Sequence, residues 1–115
     1  MEKKYYEETF EVPGETKKFR FKKTNSIDIL TIAEEWLMYV NTKEASVYKA
    51  FAKDVLSLVE FDSNDNGTWI PVVNGNSYLP ATLESNLYGL NFITQLAYQK
   101  IISPVFHQSG ESKTA

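Results

Sequence analysis

The sequence predicts an α+β fold: an N-terminal β-hairpin, two antiparallel helices, a short second hairpin, a C-terminal helix and a disordered tail. Three observations predict this fold. Apolar and polar residues alternate on both sides of an early Pro-Gly turn, apolar residues recur at helical spacing in later stretches, and an Asn-Gly pair marks a second turn. We expect residues 1–106 to form a single helical domain with a β-hairpin, and residues 107–115 to be disordered.

The first element is the N-terminal hairpin, with strands over residues 5–12 and 17–23 joined by Pro13-Gly14-Glu15-Thr16. This four-residue loop fixes the register, which places the aromatic residues on one face and opposite charges across the strands on the other. The expected cross-strand pairs are Phe10 with Phe19, Glu11 with Lys18, and Glu7 with Lys22.

Two helices follow the hairpin. Asn25 or Ser26 can cap the first helix, because either side chain can accept a hydrogen bond from a free backbone N–H. Its expected core face consists of Ile29, Ile32, Ala33, Trp36, Leu37 and Val40. Asn41 and Glu44 resemble a capping box, which predicts a second helix from about 42 to about 60. Because the connection is short, we expect the two helices to pack antiparallel.

The segment DSNDNG, residues 62–67, matches the first half of an EF-hand calcium loop. Such a loop also needs a bidentate Glu at its twelfth position, and that position is Val73. The residues that follow the segment include Pro71 and β-branched side chains, which do not suit the start of a helix. We therefore interpret the segment as a polar turn and predict no metal site.

The last elements are a second hairpin and a third helix. Residues 69–73 and 77–79 flank Asn74-Gly75, and Pro71 makes the pairing marginal or places it at an edge. The third helix is expected to begin between residues 80 and 86 and to end at Ile102, before Ser103-Pro104.

The composition argues against catalysis. The chain has no Cys, and its one His, His107, lies in the expected tail, so the folded part has neither a thiol nor a histidine base. The acid pair Glu34-Glu35 is typical of a solvated helix face, and nothing beside Asp54 or Glu84 in the sequence marks a perturbed carboxyl. We predict that the protein is not an enzyme, with no catalytic residue and no cofactor. We also expect no signal peptide and no membrane partner.

Charge is unevenly distributed along the chain. Residues 1–24 contain seven Lys or Arg and five acids, whereas the remainder contains five Lys or Arg and ten acids. The basic stretch KKFRFKK, residues 17–23, would suit nucleic-acid binding if its aromatic residues were exposed. The hairpin register instead directs them into the core, so we favour a protein without a nucleic-acid partner. A small nucleic-acid-binding or regulatory protein that uses this strand remains the alternative.

The second and third helices have apolar arcs that are wider than one neighbouring element covers. An uncovered part of such an arc would form an interaction surface. The predicted partner-binding residues are Phe51, Leu58, Leu87 and Ile93. The alternative is that the hairpins cover these faces completely. An uncovered surface also predicts self-association.

Two stretches resemble the tail assembly chaperones of long non-contractile-tailed phages that infect Gram-positive hosts. The first is FRFKKTNSIDILTIAEEW, residues 19–36, where a Phe-rich hairpin runs into a helix. The second is TWIPVVNGNSYLPATLESNL, residues 68–87, with the later IISPVF, residues 101–106. The resemblance covers most of residues 5–106 and consists of apolar patterns, with no catalytic signature.

The resemblance implies a function. Members of this family bind the tape measure protein, keep its long helical chain soluble and help to recruit tail tube subunits. They act in the host cell cytoplasm and are absent from the mature virion. A longer form usually arises by ribosomal frameshifting, and a polar tail such as 107–115 is where that extension would attach. The family has no fixed functional residues, so the resemblance assigns none.

Overall fold

The computed structural model describes residues 4–107. Its strands and α-helices are β1 (Thr9–Glu11), β2 (Lys18–Phe21), α1 (Ser26–Thr42), α2 (Ala45–Leu56), β3 (Val59–Asp62), β4 (Trp69–Pro71), β5 (Val73–Asn74), β6 (Ser77–Tyr78) and α3 (Leu87–Ala97). Short 3-10 helices precede β1 and α3, at Tyr5–Glu7 and Ala81–Ser85, and a π-helical turn, Tyr98–Ile102, follows α3. The predicted α+β fold is confirmed.

A four-stranded antiparallel sheet in the order β1-β2-β3-β4 forms one part of the fold. The predicted hairpin register is confirmed where β1 and β2 pair, since Phe10 faces Phe19 and Glu11 faces Lys18. The first strand is shorter than predicted, because Tyr5–Glu7 forms a 3-10 turn in which Glu7 accepts a hydrogen bond from the Lys4 backbone N–H. The predicted pairing of Glu7 with Lys22 is therefore wrong.

The strand β3 is not among the elements that the sequence predicts. The predicted second helix extended to about residue 60, but α2 ends at Leu56 and the chain then enters Val59–Asp62. This strand pairs with β2 on one side and with β4 on the other. Pro71, which cannot donate a ladder hydrogen bond, lies in β4 at the edge of the sheet, as predicted. Because β4 pairs with β3, the prediction that residues 69–73 pair as one strand with residues 77–79 is wrong for residues 69–71.

The helices α1 and α2 form an antiparallel pair. Trp36 packs on Phe51 with ring centroids 5.4 Å apart, and Tyr39 packs on Tyr48 at 5.0 Å, so residue numbers rise along one helix as they fall along the other. The first helix begins as predicted, because the Asn25 side chain accepts a hydrogen bond from the Asp28 N–H at 2.8 Å. The predicted capping box at Asn41 is wrong, since α1 continues to Thr42.

Asn86 caps the third helix, because its side chain accepts a hydrogen bond from the Gly89 N–H at 2.9 Å. The same side chain donates to the Pro13 carbonyl at 2.7 Å and so joins α3 to the loop of the first hairpin. Gly89 allows this close approach, because a Cβ there would lie 2.9 Å from Val12 Cγ1 and 2.5 Å from Asn86 Nδ2.

The C-terminal helix does not end at Ser103-Pro104 as predicted. After α3 the helix widens into the π-helical turn Tyr98–Ile102, in which the Ser103 N–H donates to the Tyr98 carbonyl, and residues 103–107 are helical again. A widened turn can relieve the steric conflict that Pro104 creates with the preceding turn. The predicted disordered tail, 107–115, lies outside the described residues except for His107, which is helical.

The second hairpin is formed by β5 and β6, with Asn74 opposite Ser77 and Gly75 at a φ of +62°. The four-stranded sheet and all three helices contribute to one cluster of buried residues, and Val73 and Tyr78 of the second hairpin are partly buried against it. Its largest fully buried side chains are Phe19, Phe21, Phe51, Leu83, Ile93 and Ile102.

Candidate functional site

The four residues predicted to bind a partner occupy different environments. Phe51 and Ile93 are fully buried and Leu58 is 8% exposed, whereas Leu87 is 70% exposed at the start of α3. The first three residues are part of the core that α2 and α3 form with the sheet. The prediction that they lie on an open surface is wrong, because the arcs of α2 and α3 are buried in one cluster with α1 and the sheet. Leu87 alone of the four can meet a partner without unfolding.

Most of the exposed large apolar side chains in the described residues lie on α1. Ile27 is 70% exposed, Met38 50%, Leu30 51% and Leu37 47%. These four residues lie on the side of the helix away from the buried Ile32 and are called the outer row below. Leu37 was expected in the core, so this expectation is corrected, as is that for Val40, which is 39% exposed.

The spacing of the outer row is that of a helix seam. Ile27, Leu30, Glu34, Leu37 and Asn41 follow one another at intervals of three and four residues, as the a and d positions of a coiled coil do. This series of positions, 27–41, which includes Glu34 and Asn41 as well as residues of the outer row, spans about 21 Å along the helix axis at 1.5 Å per residue. Within residues 4–107, no other part of the chain buries the apolar side chains of the outer row.

A groove of about 340 Å³ opens at the N-terminal end of the outer row. Leu30 belongs to both features, and the other apolar walls come from α1 and from the C-terminal helix. They are Ile29, Ile101, Pro104 and Val105. Tyr5 and Lys100 form the polar side of the groove, and Lys100 lies 3.3 Å from Glu8 in an ion pair. The groove can therefore accept an apolar side chain beside a neutralised charge.

The charge on α1 has a single sign. Asp28, Glu34 and Glu35 are its charged residues, and residues 26–42 include no Lys or Arg. Glu34 is exposed and lies within the outer row, one turn from Leu30 and one turn from Leu37 or Met38. The surface is therefore an apolar row with a negative charge at its centre.

Glu35 and Asp54 form a carboxyl pair between α1 and α2. Burial, a hydrogen bond with Asp54 and the negative charges of Asp54 and Glu34 together raise the pKa of Glu35 to about 7. Glu35 Oε1 is buried and accepts no hydrogen bond from the described residues, which suits a carboxyl group that holds a proton. The prediction that Glu34-Glu35 is an ordinary solvated pair is thus wrong for Glu35. Asp54 also borders a cavity of about 240 Å³.

The segment 62–67 is a turn, as predicted. The Asp62 carboxylate accepts hydrogen bonds from the backbone N–H groups of Asn66, Gly67 and Thr68 at 2.9–3.1 Å, and Gly67 has a φ of +89°. Burial alone would raise the pKa of Asp62, but these backbone hydrogen bonds outweigh it and lower the pKa below its ordinary value. Over residues 4–107, no group of three or more potential ligand side chains could hold a metal ion.

The basic strand is largely built into the sheet. Phe19 and Phe21 are buried, so neither is available to stack on a base. Arg20 forms an ion pair with Glu60 at 3.0 Å, and its guanidinium lies 4.2 Å from the centroid of the Trp69 ring. The aromatic side chains of this strand therefore cannot stack on the bases of a nucleic acid.

Comparison with known proteins does not identify a relative. No protein family, no curated protein and no solved structure matches the chain. Within the described residues, no helix combines the length and the apolar character needed to cross a bilayer.

Proposed function

We propose that this protein is a phage tail assembly chaperone that binds the tape measure protein, keeps it soluble in the host cell cytoplasm and helps to recruit tail tube subunits. The resemblance of residues 19–36 and 68–87 to that family supports the identity of the client. The outer row on α1 is the observation that supports binding. The activity is non-enzymatic, needs no cofactor, and ends before the mature virion forms.

Exposing a row of apolar side chains to water is unfavourable unless a partner covers them. Each of its side chains is about half exposed or more, although α1 has a separate face packed on the core. A client helix that lies along the row would bury these side chains, as in helix-in-groove recognition. This arrangement holds a long helical protein in solution segment by segment, without chemistry at any residue.

Nucleic-acid binding is the weaker interpretation. It would use Lys18, Lys22 and Lys23 without exposed stacking residues, since Phe19 and Phe21 are in the core. Phosphate binding weakens steeply as salt concentration rises, whereas apolar docking does not. We expect client capture to persist between about 50 and about 500 mM salt, an order-of-magnitude range that separates the two cases.

Co-expression with the tape measure protein tests the proposal. We expect the wild-type protein to keep the tape measure protein in the soluble fraction and to co-purify with it. Leu37→Asp should abolish this effect while the circular dichroism spectrum stays unchanged, because Leu37 is half exposed. A tape measure protein that precipitates equally with and without the wild-type protein would contradict the proposed function.

Buried and exposed residues should respond differently in this experiment. Phe51→Asp places a charge in a fully buried site, so it should unfold the protein by removing several kcal/mol of stability. Ile93→Asp should do the same. Loss of capture with either variant should therefore come with loss of the folded spectrum, whereas the Leu37 variant separates binding from folding.

A further inference from the structure

The outer row has the spacing of a coiled-coil seam with a polar residue at its centre. Positions 27, 30, 34, 37 and 41 alternate intervals of three and four residues, and position 34 is the midpoint of the series. A single charged or amide residue in such a seam selects the partner, since it must meet a group that satisfies it. The centre of this surface is the Glu34 carboxylate, and the position at its C-terminal end is Asn41.

Symmetry disfavours a second copy of the chain as the occupant. If two α1 helices paired about a two-fold axis at the middle of the row, Glu34 would face Glu34 of the other copy. This holds for a parallel pair in register. In an antiparallel pair, where an a position packs against a d position of the other helix, Glu34 would be buried against Leu30 or Leu37 of the other copy without a cation to pair with. Two carboxylates in contact are repulsive, and no Lys or Arg of α1 lies within residues 26–42 to compensate them. At neutral pH the row is therefore better suited to a different helix.

Charge complementarity defines that helix. An occupant with apolar residues at a and d positions would cover Ile27, Leu30 and Leu37, and a Lys or Arg at the central position would pair with Glu34. Near the N-terminal end of the row, the groove beside Leu30 offers room for an apolar side chain.

We infer that the outer row of α1 binds one helix with a heptad repeat, whose central seam position opposite Glu34 carries a Lys or an Arg. The inference rests on the proposed client-binding function and specifies the chemistry of the client segment. It also predicts where along a long client the protein binds, since segments with a basic residue in an otherwise apolar seam are preferred over fully apolar or acidic segments.

Synthetic helical peptides test the inference on the full-length protein. The first peptide has Leu at all a and d positions over three heptads except for one central Lys, and the second replaces that Lys with Glu. A third peptide has the composition of the first in scrambled order. In fluorescence anisotropy at low salt, we expect the wild-type protein to bind the Lys peptide at least about fivefold more tightly than the Glu peptide. The scrambled peptide should not bind.

A charge swap sharpens the test. Glu34→Lys should reverse the preference, so that the Glu peptide binds more tightly than the Lys peptide. Glu44→Lys makes the same change of charge at an exposed residue outside the row and should leave the wild-type preference in place. An equal affinity of the wild-type protein for the Lys and Glu peptides would overturn the inference, and so would an unchanged preference in the Glu34→Lys variant.

Substitutions of exposed apolar residues by Asp test whether the peptides bind at the outer row. Leu37→Asp should abolish binding of the Lys peptide and of the Glu peptide, whereas Tyr88→Asp, at an exposed Tyr on α3, should retain it. Peptide binding that survives Leu37→Asp overturns the inference. A wild-type dimer that Leu37→Asp dissociates also overturns it, because the occupant would then be a second copy of the chain.

The two proposals can fail separately. If the peptides bind with the expected preference but the tape measure protein stays insoluble, the α1 surface is supported and the proposed client is wrong. If the tape measure protein is kept soluble by the Glu34→Lys and Leu37→Asp variants as well as by the wild type, the chaperone function is supported and the α1 surface is wrong.

Discussion

At the scale of single residues, Glu35 makes the stability of the protein depend on pH. Its pKa is about 7 in the folded protein and 4.5 for an unperturbed Glu, so the folded state binds the proton more tightly than the unfolded state. Stability contributed by the protonated carboxyl is therefore complete below pH 4.5 and declines as the pH rises through about 7.

We expect Glu35→Gln to remove this decline. The full shift corresponds to about 3 kcal/mol, and solvent screening at the partly exposed pair reduces the expected gain at pH 8 to about 1 kcal/mol. Thermal unfolding of the wild type and the variant at pH 5 and pH 8 measures it. At pH 8, the stability of the variant should rise relative to that of the wild type. Glu34→Gln, which changes the exposed neighbour, should show a smaller difference. Parallel pH profiles for wild type and Glu35→Gln would contradict the pairing.

The Asp62 carboxylate gives the second prediction at this scale. It accepts hydrogen bonds from the backbone N–H groups of Asn66, Gly67 and Thr68. Asp62→Ala should lower the midpoint of chemical denaturation, because these donors lose their acceptor. Asp62→Asn keeps one acceptor oxygen and should lower the midpoint less. A milder effect of Ala than of Asn would show that the turn does not depend on this carboxylate.

Calcium should have no effect on the same turn. Val73 occupies the position where an EF-hand supplies a bidentate Glu, and the Asp62 oxygens are already engaged by backbone donors. We expect neither saturable heat in calorimetry nor a shift of the melting temperature at millimolar calcium. A dissociation constant below about 10 µM, the range of calcium sensors, would contradict this interpretation.

Local features could be predicted at the residue scale, and features that depend on docking could not. The Asn25 cap and the turn at Gly67 follow from interactions within a few residues, and both were predicted. The environment of Glu35 depends on where Asp54 lies after α2 folds back on α1. No sequence spacing within α1 carries that information, so the perturbed carboxyl was missed.

At the scale of elements, the first hairpin allows a test of its register. Glu11 faces Lys18 across β1 and β2. Lys18→Glu should destabilise the protein by a few tenths to about 1 kcal/mol, and adding Glu11→Lys should restore most of the loss, because opposite charges again face each other. A double-mutant cycle in denaturant measures the coupling. Additive effects of the two changes would indicate that these side chains do not interact.

The missed strand β3 shows a limit of periodicity. Residues 55–61, VLSLVEF, are almost entirely apolar, and a short apolar run fits a buried strand as well as the end of a buried helix. The structure ends α2 at Leu56 and pairs Val59–Asp62 with β2, which is distant in sequence, and with β4. Only the pairing with β2 and β4 shows that this apolar run is a strand rather than the end of a helix. The same omission explains why Leu58 was assigned to an interaction surface.

The candidate site itself was missed for a related reason. The apolar residues of α1 form two faces. Their spacing in the sequence predicts Leu37 on the buried face, and the predicted core face does not include Ile27 and Leu30, which are exposed. A helical projection separates the two faces, because the buried Ile32 lies opposite the outer row. Which face meets the core depends on the sheet and on the C-terminal helix, neither of which is visible in the spacing of α1.

At the scale of the whole molecule, the fold separates stability from binding. The sheet, α2 and α3 share one buried cluster with the inner face of α1, and the outer row lies apart from that cluster. Substitutions in the row are therefore expected to change association without unfolding the chain. The charge of Glu34, at the centre of the row, can therefore be changed without disturbing the buried cluster.

Replacing that charge should convert the row into a self-association surface. Glu34→Leu makes the centre of the seam apolar, between Leu30 and Leu37, and removes the like-charge contact between two copies. Because each buried Leu contributes about 1.5–3 kcal/mol, self-association through α1 should strengthen at least about tenfold over the wild type. Sedimentation velocity over a concentration series measures it. Adding Leu37→Asp to the variant should return it to wild-type behaviour, and Glu44→Leu should leave association unchanged. If Glu34→Leu associates no more strongly than the wild type, Glu34 does not lie at the centre of a helix-binding seam.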